Sequence, residues 1–149
     1  MNLLQLENKN IVVMGVANER SIAWGVAKRL LEVGANVIFT YRKERSKGKI
    51  EKLLTAYEDK KTAIVECDVN NDESIAKAFE QIGAEFGTVH GIVHSVAFAH
   101  AEDLKNRFVE TSREGYAFAQ DTSAYSLVAV SNAAQPFLAE GASIITMSY

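Results

Sequence analysis

The sequence has few of the residues that cross-link or interrupt a chain. Its 149 residues include one cysteine, Cys67, and one proline, Pro136. A single cysteine excludes a disulfide within the chain and suits a reducing, cytoplasmic compartment. With so little proline, and no stretch rich in glycine and serine, no linker divides the sequence. Residues 1–149 are therefore interpreted as one domain.

An excess of charge of one sign and long apolar runs are also missing. Sixteen basic and 19 acidic residues give a formal net charge of −3, which provides no electrostatic reason to bind nucleic acid or an anionic membrane. No apolar run approaches the roughly 20 residues that span a bilayer. The first ten residues, MNLLQLENKN, lack the basic region and apolar core of a secretory signal. The sequence therefore predicts neither a nucleic-acid nor a membrane partner.

Two periodicities alternate along the chain. Short apolar runs rich in β-branched residues predict strands at 10–17, 36–41, 62–69, 89–97 and 142–149. Helical spacing predicts helices at 21–34, 72–87 and about 112–134, and a basic loop and helix between the second and third strands. Apolar strands joined by crossovers predict an α/β fold, a Rossmann-like doubly wound parallel sheet with helices on both faces, ending after the fifth strand.

The helix at 112–134 is predicted to cover one face of the sheet. The face expected to point inward carries Ala119, Ser123, Ser126, Leu127 and Val130.

The stretch GVANERSIAWG, residues 15–25, follows the first strand where a nucleotide-binding protein places its phosphate turn. It lacks the usual G-x-G-x-x-G, but a phosphate needs close backbone approach and free helix N–H groups rather than three glycines. Gly15 can make the turn, Ala17 is small, and Ser21 and Ile22 begin the helix. Gly25 is expected to let this helix approach the sheet closely. A plain strand–helix loop with a capping serine is the alternative.

The end of the second strand bears on the choice of nucleotide. An acid there binds a free ribose 2′-hydroxyl, whereas a cation accepts a 2′-phosphate. Here Arg42 and Lys43 follow the strand and Glu44 comes only after them. This pattern favours NADPH, with NADH possible, against the alternative of a solvated basic helix start. Asp68 and Val69, at the end of the third strand, are either an adenine site or an ordinary cap.

Several stretches together resemble one family. G-x-A-x-x-x-S-I-A-x-G at 15–25 is similar to the divergent short-chain dehydrogenase/reductases, specifically the bacterial enoyl-acyl-carrier-protein reductases. The similar stretches that follow are FTYRKERS (39–46), CDV (67–69), HSVAFA (94–99), TSREGYAFAQDTSAYSL (111–127) and SIITMSY (143–149). They keep the family's order and spacing over essentially the whole chain. The lack of T-G-x-x-x-G-x-G and N-N-A-G is itself typical of this subfamily.

The resemblance implies an activity and a set of roles. The activity is reduction of the trans-2 double bond of enoyl-acyl-carrier-protein thioesters by hydride from NADPH, the last step of each elongation cycle of bacterial fatty-acid synthesis. The resemblance implies a cytoplasmic homotetramer that acts on acyl carrier protein. It makes Tyr149 catalytic and places Ala99 in the acyl pocket. The implied cofactor-binding residues are Gly15, Ala17, Ser21, Ile22, Arg42, Lys43, Glu44, Arg45, Ser46, Asp68, Val69, Ser95, Val96 and Ala97.

Two further residues of the family's machinery match no position in the chain. These are a second tyrosine, which donates to the enolate oxygen, and a lysine seven residues after it. Tyr57 and Lys61 have the Y-x-x-x-K spacing of other short-chain dehydrogenases, but they precede the third strand, so the match is read as coincidence. We expect residues 1–149 to be a dinucleotide-binding domain without its C-terminal strands, catalytic pair and substrate-binding helices, and to be inactive alone.

Two other functions stay open at this point. One is a short-chain dehydrogenase acting on an alcohol or ketone, for which Ser148 is the only candidate catalytic serine. The other is a nucleotide-binding module without catalysis.

No metal site is predicted. His90 and His94 lie four apart on a strand, about 13 Å from each other at ~3.3 Å per residue, which is too far to share an ion. His94 is expected to be packed, Cys67 to lie in the core, and Phe98 to form a pocket wall.

Overall fold

The computed structural model describes residues 3–148. Tyr149, the predicted catalytic tyrosine, lies outside the described residues. The strands are β1 (Asn10–Met14), β2 (Asn36–Tyr41), β3 (Thr62–Glu66), β4 (Val89–His94) and β5 (Leu138–Thr146). The helices are α1 (Ile22–Glu32), α2 (Glu44–Leu54), α3 (Asp72–Phe86), α4 (Ala101–Lys105), α5 (Arg113–Gln120) and α6 (Ser126–Ala134). Short 3-10 turns occupy Thr55–Tyr57, Phe108–Glu110 and Gln135–Phe137.

The five strands form one parallel sheet in the order β3-β2-β1-β4-β5. The chain builds outward from β1 to β3 and then crosses back to place β4 on the other side of β1. This reversal creates a switch point between β1 and β4, where ligands of such sheets bind beyond the carboxyl ends of the strands. The predicted doubly wound α/β fold is confirmed.

Helices cover both faces of the central strands, as their apolar residues require, whereas the edge strand β5 is largely exposed. Val12 and Met14 of β1 pack in a cluster with residues of α3 and α6. Ile11 and Val13, which alternate with them, pack in a second cluster with α1 and α2. Because successive strand residues point to opposite faces, the uninterrupted apolar run of β1 fills both clusters.

The prediction for Gly25 is wrong. A Cβ built on this residue would meet nothing within 4 Å, so α1 does not approach the sheet through it. Ala23, Ala27 and Leu31 form the buried face of α1 instead. Gly25 lies on the exposed side of the helix.

The fifth strand begins earlier than its apolar run. Val89 of β4 pairs with Leu138, and the next paired residue, Gly91, faces Ser143. The extra residues of β5 form a bulge that contains Gly141 at φ +75. The sequence-based strand at 142–149 missed this segment because a bulge interrupts the two-residue alternation on which the prediction depends.

The helix predicted at 112–134 is one continuous helical run with an irregularity. Between α5 and α6, residues Asp121–Tyr125 form a π turn. The run buries Thr122, Ser126, Val130 and Ala134 against the sheet. The predicted inward face is therefore only partly right: Ser126 and Val130 are buried, whereas Ala119, Ser123 and Leu127 are half-buried. A π turn holds more residues than an α turn, so it shifts the inward stripe.

Within residues 3–148, no helix has both the length and the apolar character needed to cross a bilayer.

Candidate functional site

A cavity of about 240 Å³ opens at the carboxyl ends of the first four strands. Its wall brings together eight of the predicted cofactor-binding residues: Gly15, Ala17, Arg42, Ser46, Val69, Ser95, Val96 and Ala97. The rest of the wall is Met14, Val16, Thr40, Tyr41, Cys67, Asn70, Phe98 and Thr122.

Gly15 brings the loop after β1 into contact with the loop after β4. Its φ is +98, and a Cβ at this position would overlap the carbonyl oxygen of Ser95. The same two loops are joined by the Ser95 N–H, which donates to the carbonyl of Met14 at 3.3 Å. Only glycine satisfies both the positive φ and the close approach.

Ser21 holds the loop rather than the helix. It stands at the N-cap of α1, but its side chain makes no capping bond. Instead its Oγ accepts hydrogen bonds from the N–H groups of Ala17, at 3.0 Å, and Asn18, at 3.1 Å. Ser21 is therefore the N-cap residue by position, as the alternative interpretation had it, but its side chain does not cap the helix. Because both contacts use oxygen lone pairs, the hydroxyl proton stays available to a ligand.

Neither Ser21 nor Ile22 is part of the cavity wall. Ile22 begins α1 beside it, with a side chain that is 69% exposed. The N–H groups of Trp24 and Gly25 donate to the carbonyl of Ser21, so those of Ile22 and Ala23 are the ones without an acceptor inside the helix. The cavity rim therefore carries donors as well as apolar surface.

At the end of β2, the predicted basic segment divides into two parts. Arg42 and Ser46 line the cavity. Lys43, Glu44 and Arg45 lie outside its wall, exposed at the start of α2. The Nε of Arg42 lies 3.6 Å from Oδ1 of Asp68, with the arginine side chain 45% exposed.

At the end of β3, Asp68 is engaged within the chain. Its Oδ1 accepts from the N–H of Asn70 at 3.0 Å, and its own N–H donates to Oγ of Ser74 at 2.8 Å. Val69 rather than Asp68 forms the wall. The Cys67 side chain is buried, as expected, and also borders the cavity; burial raises the pKa of its thiol to about 12, so it is neutral at physiological pH.

At the end of β4, the loop is attached to the π turn. The N–H of Phe98 donates to Oγ of Ser123 at 3.1 Å, and that hydroxyl donates back to the Phe98 carbonyl at 3.3 Å. The Phe98 ring borders the cavity, as expected, and packs edge-on against Phe118. Ala99, predicted to line an acyl pocket, is outside this wall.

Asn70 and Thr122 are among the polar wall residues that the sequence did not predict. The Nδ2 of Asn70 donates to Oδ2 of Asp121 at 2.6 Å and to Oγ1 of Thr122 at 2.8 Å. The Oδ1 of Asn70 is buried and has no hydrogen-bond partner in the described part of the chain. Asn70 could have been identified from its position just after β3. Thr122 could not, because it lies 52 residues further along the chain.

The two histidines lie in different environments. His94 is buried, whereas His90 is half-buried and accepts from the N–H of Asn10 at 3.0 Å through Nδ1. Among residues 3–148, no three His, Cys, Asp or Glu side chains converge in a way that could hold a metal ion.

The strand order and the cavity at the switch point define the class of Rossmann-like α/β proteins. The family model of enoyl-(acyl carrier protein) reductases matches residues 15–149. The chain therefore belongs to the enoyl-(acyl carrier protein) reductase family.

Individual relatives agree with the family. The enoyl-[acyl-carrier-protein] reductase [NADPH] of Staphylococcus aureus (strain NCTC 8325) is 50% identical over 147 residues, covering 99% of this chain and 57% of that protein. The enoyl-[acyl-carrier-protein] reductase [NADH] of Enterococcus faecalis (strain V583) is 51% identical over 144 residues, covering 97% and 56%.

A solved structure shows the same fold. The crystal structure of the Bacillus cereus enoyl-acyl carrier protein reductase with NADP+ and indole naphthyridinone has a TM-score of 0.92 and 47% identity, covering 97% of this chain and 56% of that one. The chain thus spans somewhat more than half the length of the curated relatives it matches.

Proposed function

We propose that the protein carrying this chain reduces the trans-2 double bond of enoyl-acyl-carrier-protein thioesters with hydride from NADPH, completing each elongation cycle of bacterial fatty-acid synthesis. The observation that carries the proposal is family membership over residues 15–149, combined with a cavity at the switch point. The proposal includes acyl carrier protein as partner, a cytoplasmic location and a homotetramer.

The first loop fits a pyrophosphate. The N–H groups of Ala17 and Asn18 are already bound to Ser21, so the donors that suit a ligand include the Ser21 hydroxyl and the opening N–H of α1 at Ile22. A helix N-terminus also favours negative charge. Gly15 and Ala17 keep the approach to these donors free of bulky side chains.

The end of β2 fits a 2′-phosphate. The Arg42 contact with Asp68 uses Nε, and the terminal nitrogens of the guanidinium can turn towards a phosphate. Ser46 lies in the same wall. Nearby, Lys43 and Arg45 add positive charge, which the negative charge of Glu44 partly offsets. Relatives with either cofactor in their names are about equally similar to this chain, so the residues of the chain itself carry the preference for NADPH.

The other two strand ends receive the remaining parts of the cofactor. Asp68 and Val69 are assigned to the adenine, and Ser95, Val96 and Ala97 to the nicotinamide side, with Ala99 beside the acyl chain. The apolar side chains of Val69 and Val96 suit flat aromatic rings.

When bound, the reduced nicotinamide supplies a hydride to the β-carbon of the substrate. Negative charge then develops on the thioester oxygen, which needs a positioned hydrogen-bond donor. We assign Tyr149 to this region as the first of two tyrosines. The second tyrosine and the ribose-binding lysine match no residue of the sequence, so we propose that residues 1–149 alone are catalytically inactive.

The experiment compares two proteins: the gene product that carries this sequence and the 149-residue chain. Each is assayed for NADPH binding and for oxidation of NADPH with crotonyl-acyl carrier protein. We expect turnover by the gene product and binding without turnover by the chain. Absence of enoyl reduction by a gene product that binds NADPH would refute the proposed reaction, and activity on a ketone would favour the dehydrogenase alternative. Turnover by the chain near that of the gene product would refute its inactivity.

A further inference from the structure

A polar network centred on the buried side chain of His94 adjoins the cavity through Thr122. The imidazole is 1% exposed, and both of its nitrogens have partners. Nδ1 lies 2.9 Å from Oγ1 of Thr146, at the end of β5. Nε2 lies 2.8 Å from Oγ of Ser126, the first residue of α6. Ser126 in turn donates to the carbonyl of Thr122 in the π turn, at 2.7 Å.

The proton positions in this network follow from the bond to Thr122. A serine hydroxyl has one proton, and that of Ser126 is used on the Thr122 carbonyl. Ser126 must therefore accept from His94, which places the imidazole proton on Nε2. Nδ1 is then unprotonated and accepts from the hydroxyl of Thr146. Burial also lowers the pKa of His94, in keeping with a neutral ring.

The network joins segments that border the proposed site. Ser95–Phe98, which line the cavity, follow His94 directly. The N–H of Met147, one residue beyond Thr146, donates to the His94 carbonyl at 3.1 Å. The π turn holds the other end of the same loop through Ser123 and Phe98, and the end of β3 through Asp121 and Asn70.

We infer that His94 is a positioning residue whose two ring nitrogens fix the end of β5 and the π turn relative to the loop at 95–99. This inference rests on the proposed function, in which that loop borders the nicotinamide and the segment after Thr146 leads to Tyr149. His94 is then the neutral Nε2–H tautomer, because that form lets Ser126 accept from His94 while it keeps its own hydrogen bond to the Thr122 carbonyl.

The kinetic test uses variants of the gene product with matched controls. Thr146→Val removes the hydroxyl at an exposed position, and Thr146→Ser restores it. Ser126→Ala removes the partner of Nε2. Ser131→Ala is its control, because Ser131 also donates to a carbonyl four residues earlier, at 2.7 Å, in the same helix, without touching His94.

Thr146→Val and Ser126→Ala are each expected to lower kcat about tenfold, with KM for NADPH changed less than about twofold, since misplaced groups cost rate rather than ground-state binding. Thr146→Ser and Ser131→Ala are expected to keep kcat within about twofold of the unmodified enzyme. A loss of thermal stability in Thr146→Val and Ser126→Ala with kcat unchanged would mean that the network is only structural and would overturn the inference.

Two spectroscopic measurements decide the inference even if the reaction is different. The first is the ¹⁵N spectrum of protein labelled with ¹⁵N-histidine, in which the His94 signal is assigned by its loss in His94→Gln. We expect Nε2 to be protonated and Nδ1 to be unprotonated. An Nδ1–H tautomer or an imidazolium at neutral pH would overturn the role. Thr146→Val should also shift the amide signals of Val96 and Ala97, whereas Ser131→Ala should not. If these amide signals do not shift, the positioning role of His94 is wrong. If they shift but the enzyme reduces no enoyl thioester, only the proposed function is wrong.

Discussion

Gly15 combines two requirements in one residue. Its φ of +98 lies in the region that disfavours side chains, and its missing Cβ leaves room for the Ser95 carbonyl. Sequence analysis identified Gly15 from its place after a strand, although the usual three-glycine pattern is absent. That identification was possible because the need for glycine is local to the strand–helix junction.

Gly15→Ala is expected to lower the free energy of unfolding by about 1–3 kcal/mol, because the backbone conformation is strained for alanine and the Ser95 contact must open. NADPH affinity should fall with it. Chemical denaturation and cofactor titration measure the two effects.

The matched control is Gly25→Ala, on the exposed side of α1 with no atom near the added Cβ. It should leave stability unchanged or raise it by about 1 kcal/mol, since alanine favours a helix more than glycine does. Equal losses in the two variants would contradict the role given to Gly15.

Arg42 is the residue on which the NADPH preference chiefly depends. Arg42→Gln should weaken NADPH binding about tenfold or more and leave NADH binding nearly unchanged, because a charged hydrogen bond to the 2′-phosphate is lost. Parallel titrations with the two cofactors measure the ratio. Arg29→Gln, on the exposed face of α1 in a pair with Glu32, removes the same charge as a control. Equal weakening of both cofactors would contradict the assignment.

At the scale of elements, α3 shows a helix start that the sequence makes readable. Asn71 precedes the helix, and its side chain accepts from the N–H of Ser74 at 3.0 Å. Asp72 and Glu73 in the first turn suit the positive end of the helix dipole. The helix begins at Asp72, the residue that its amphipathic pattern predicted.

Asn71→Ala should lower the free energy of unfolding by about 1 kcal/mol, because the Ser74 N–H loses its acceptor. Asn71→Ser, which keeps a capping oxygen, should lie close to the unmodified protein. Urea denaturation measures both. An equally large loss of stability in Asn71→Ser would show that the missing capping hydrogen bond is not the cause of the destabilisation in Asn71→Ala.

The π turn is the element that the sequence did not reveal. Asp121–Tyr125 keep helical composition and spacing, so the helix at 112–134 was predicted correctly but as regular. The turn is recognisable only from the contacts that its residues make with the loops after β3 and β4: Asp121 and Thr122 with Asn70, and Ser123 with Phe98. Irregular turns of this kind are frequent at functional sites.

At the scale of the whole molecule, two neutral histidines link stability to pH. Burial lowers the pKa of His94 and, helped by the positive charge of Lys9, also that of His90. An unfolded histidine has a pKa of about 6.5. Below that pH the unfolded chain binds more protons than the folded one, so the free energy of unfolding falls as the pH falls.

The measurement is urea unfolding between about pH 7.5 and pH 5.5. We expect stability to decline through this range and the decline to become shallower in His90→Gln. Stability that is constant or increases towards pH 5.5 would contradict neutral histidines in the folded state.

The class of fold and most of the strand ends that border the site could be predicted from the sequence alone. The strands are apolar runs that need cover on both faces, and the segments between them are long enough to form helices. A doubly wound parallel sheet is the arrangement that buries such strands. Because parallel strands end at one edge, the residues after β1, β2, β3 and β4 lie together, and Gly15, Arg42, Val69 and Val96 share one cavity wall.

The side chains that complete that wall, and the directions of their polar atoms, depend on contacts between distant parts of the chain. Ser21 binds the loop amides instead of capping α1, Asp68 binds Arg42 and the turn at Asn70, and Thr122 joins the cavity through the π turn. Hydrophobic periodicity and secondary-structure propensity depend on residues that are near neighbours in the chain. The contacts of His94 with Ser126 and Thr146, by contrast, join residues 32 and 52 apart, and form only when the helix and strands pack.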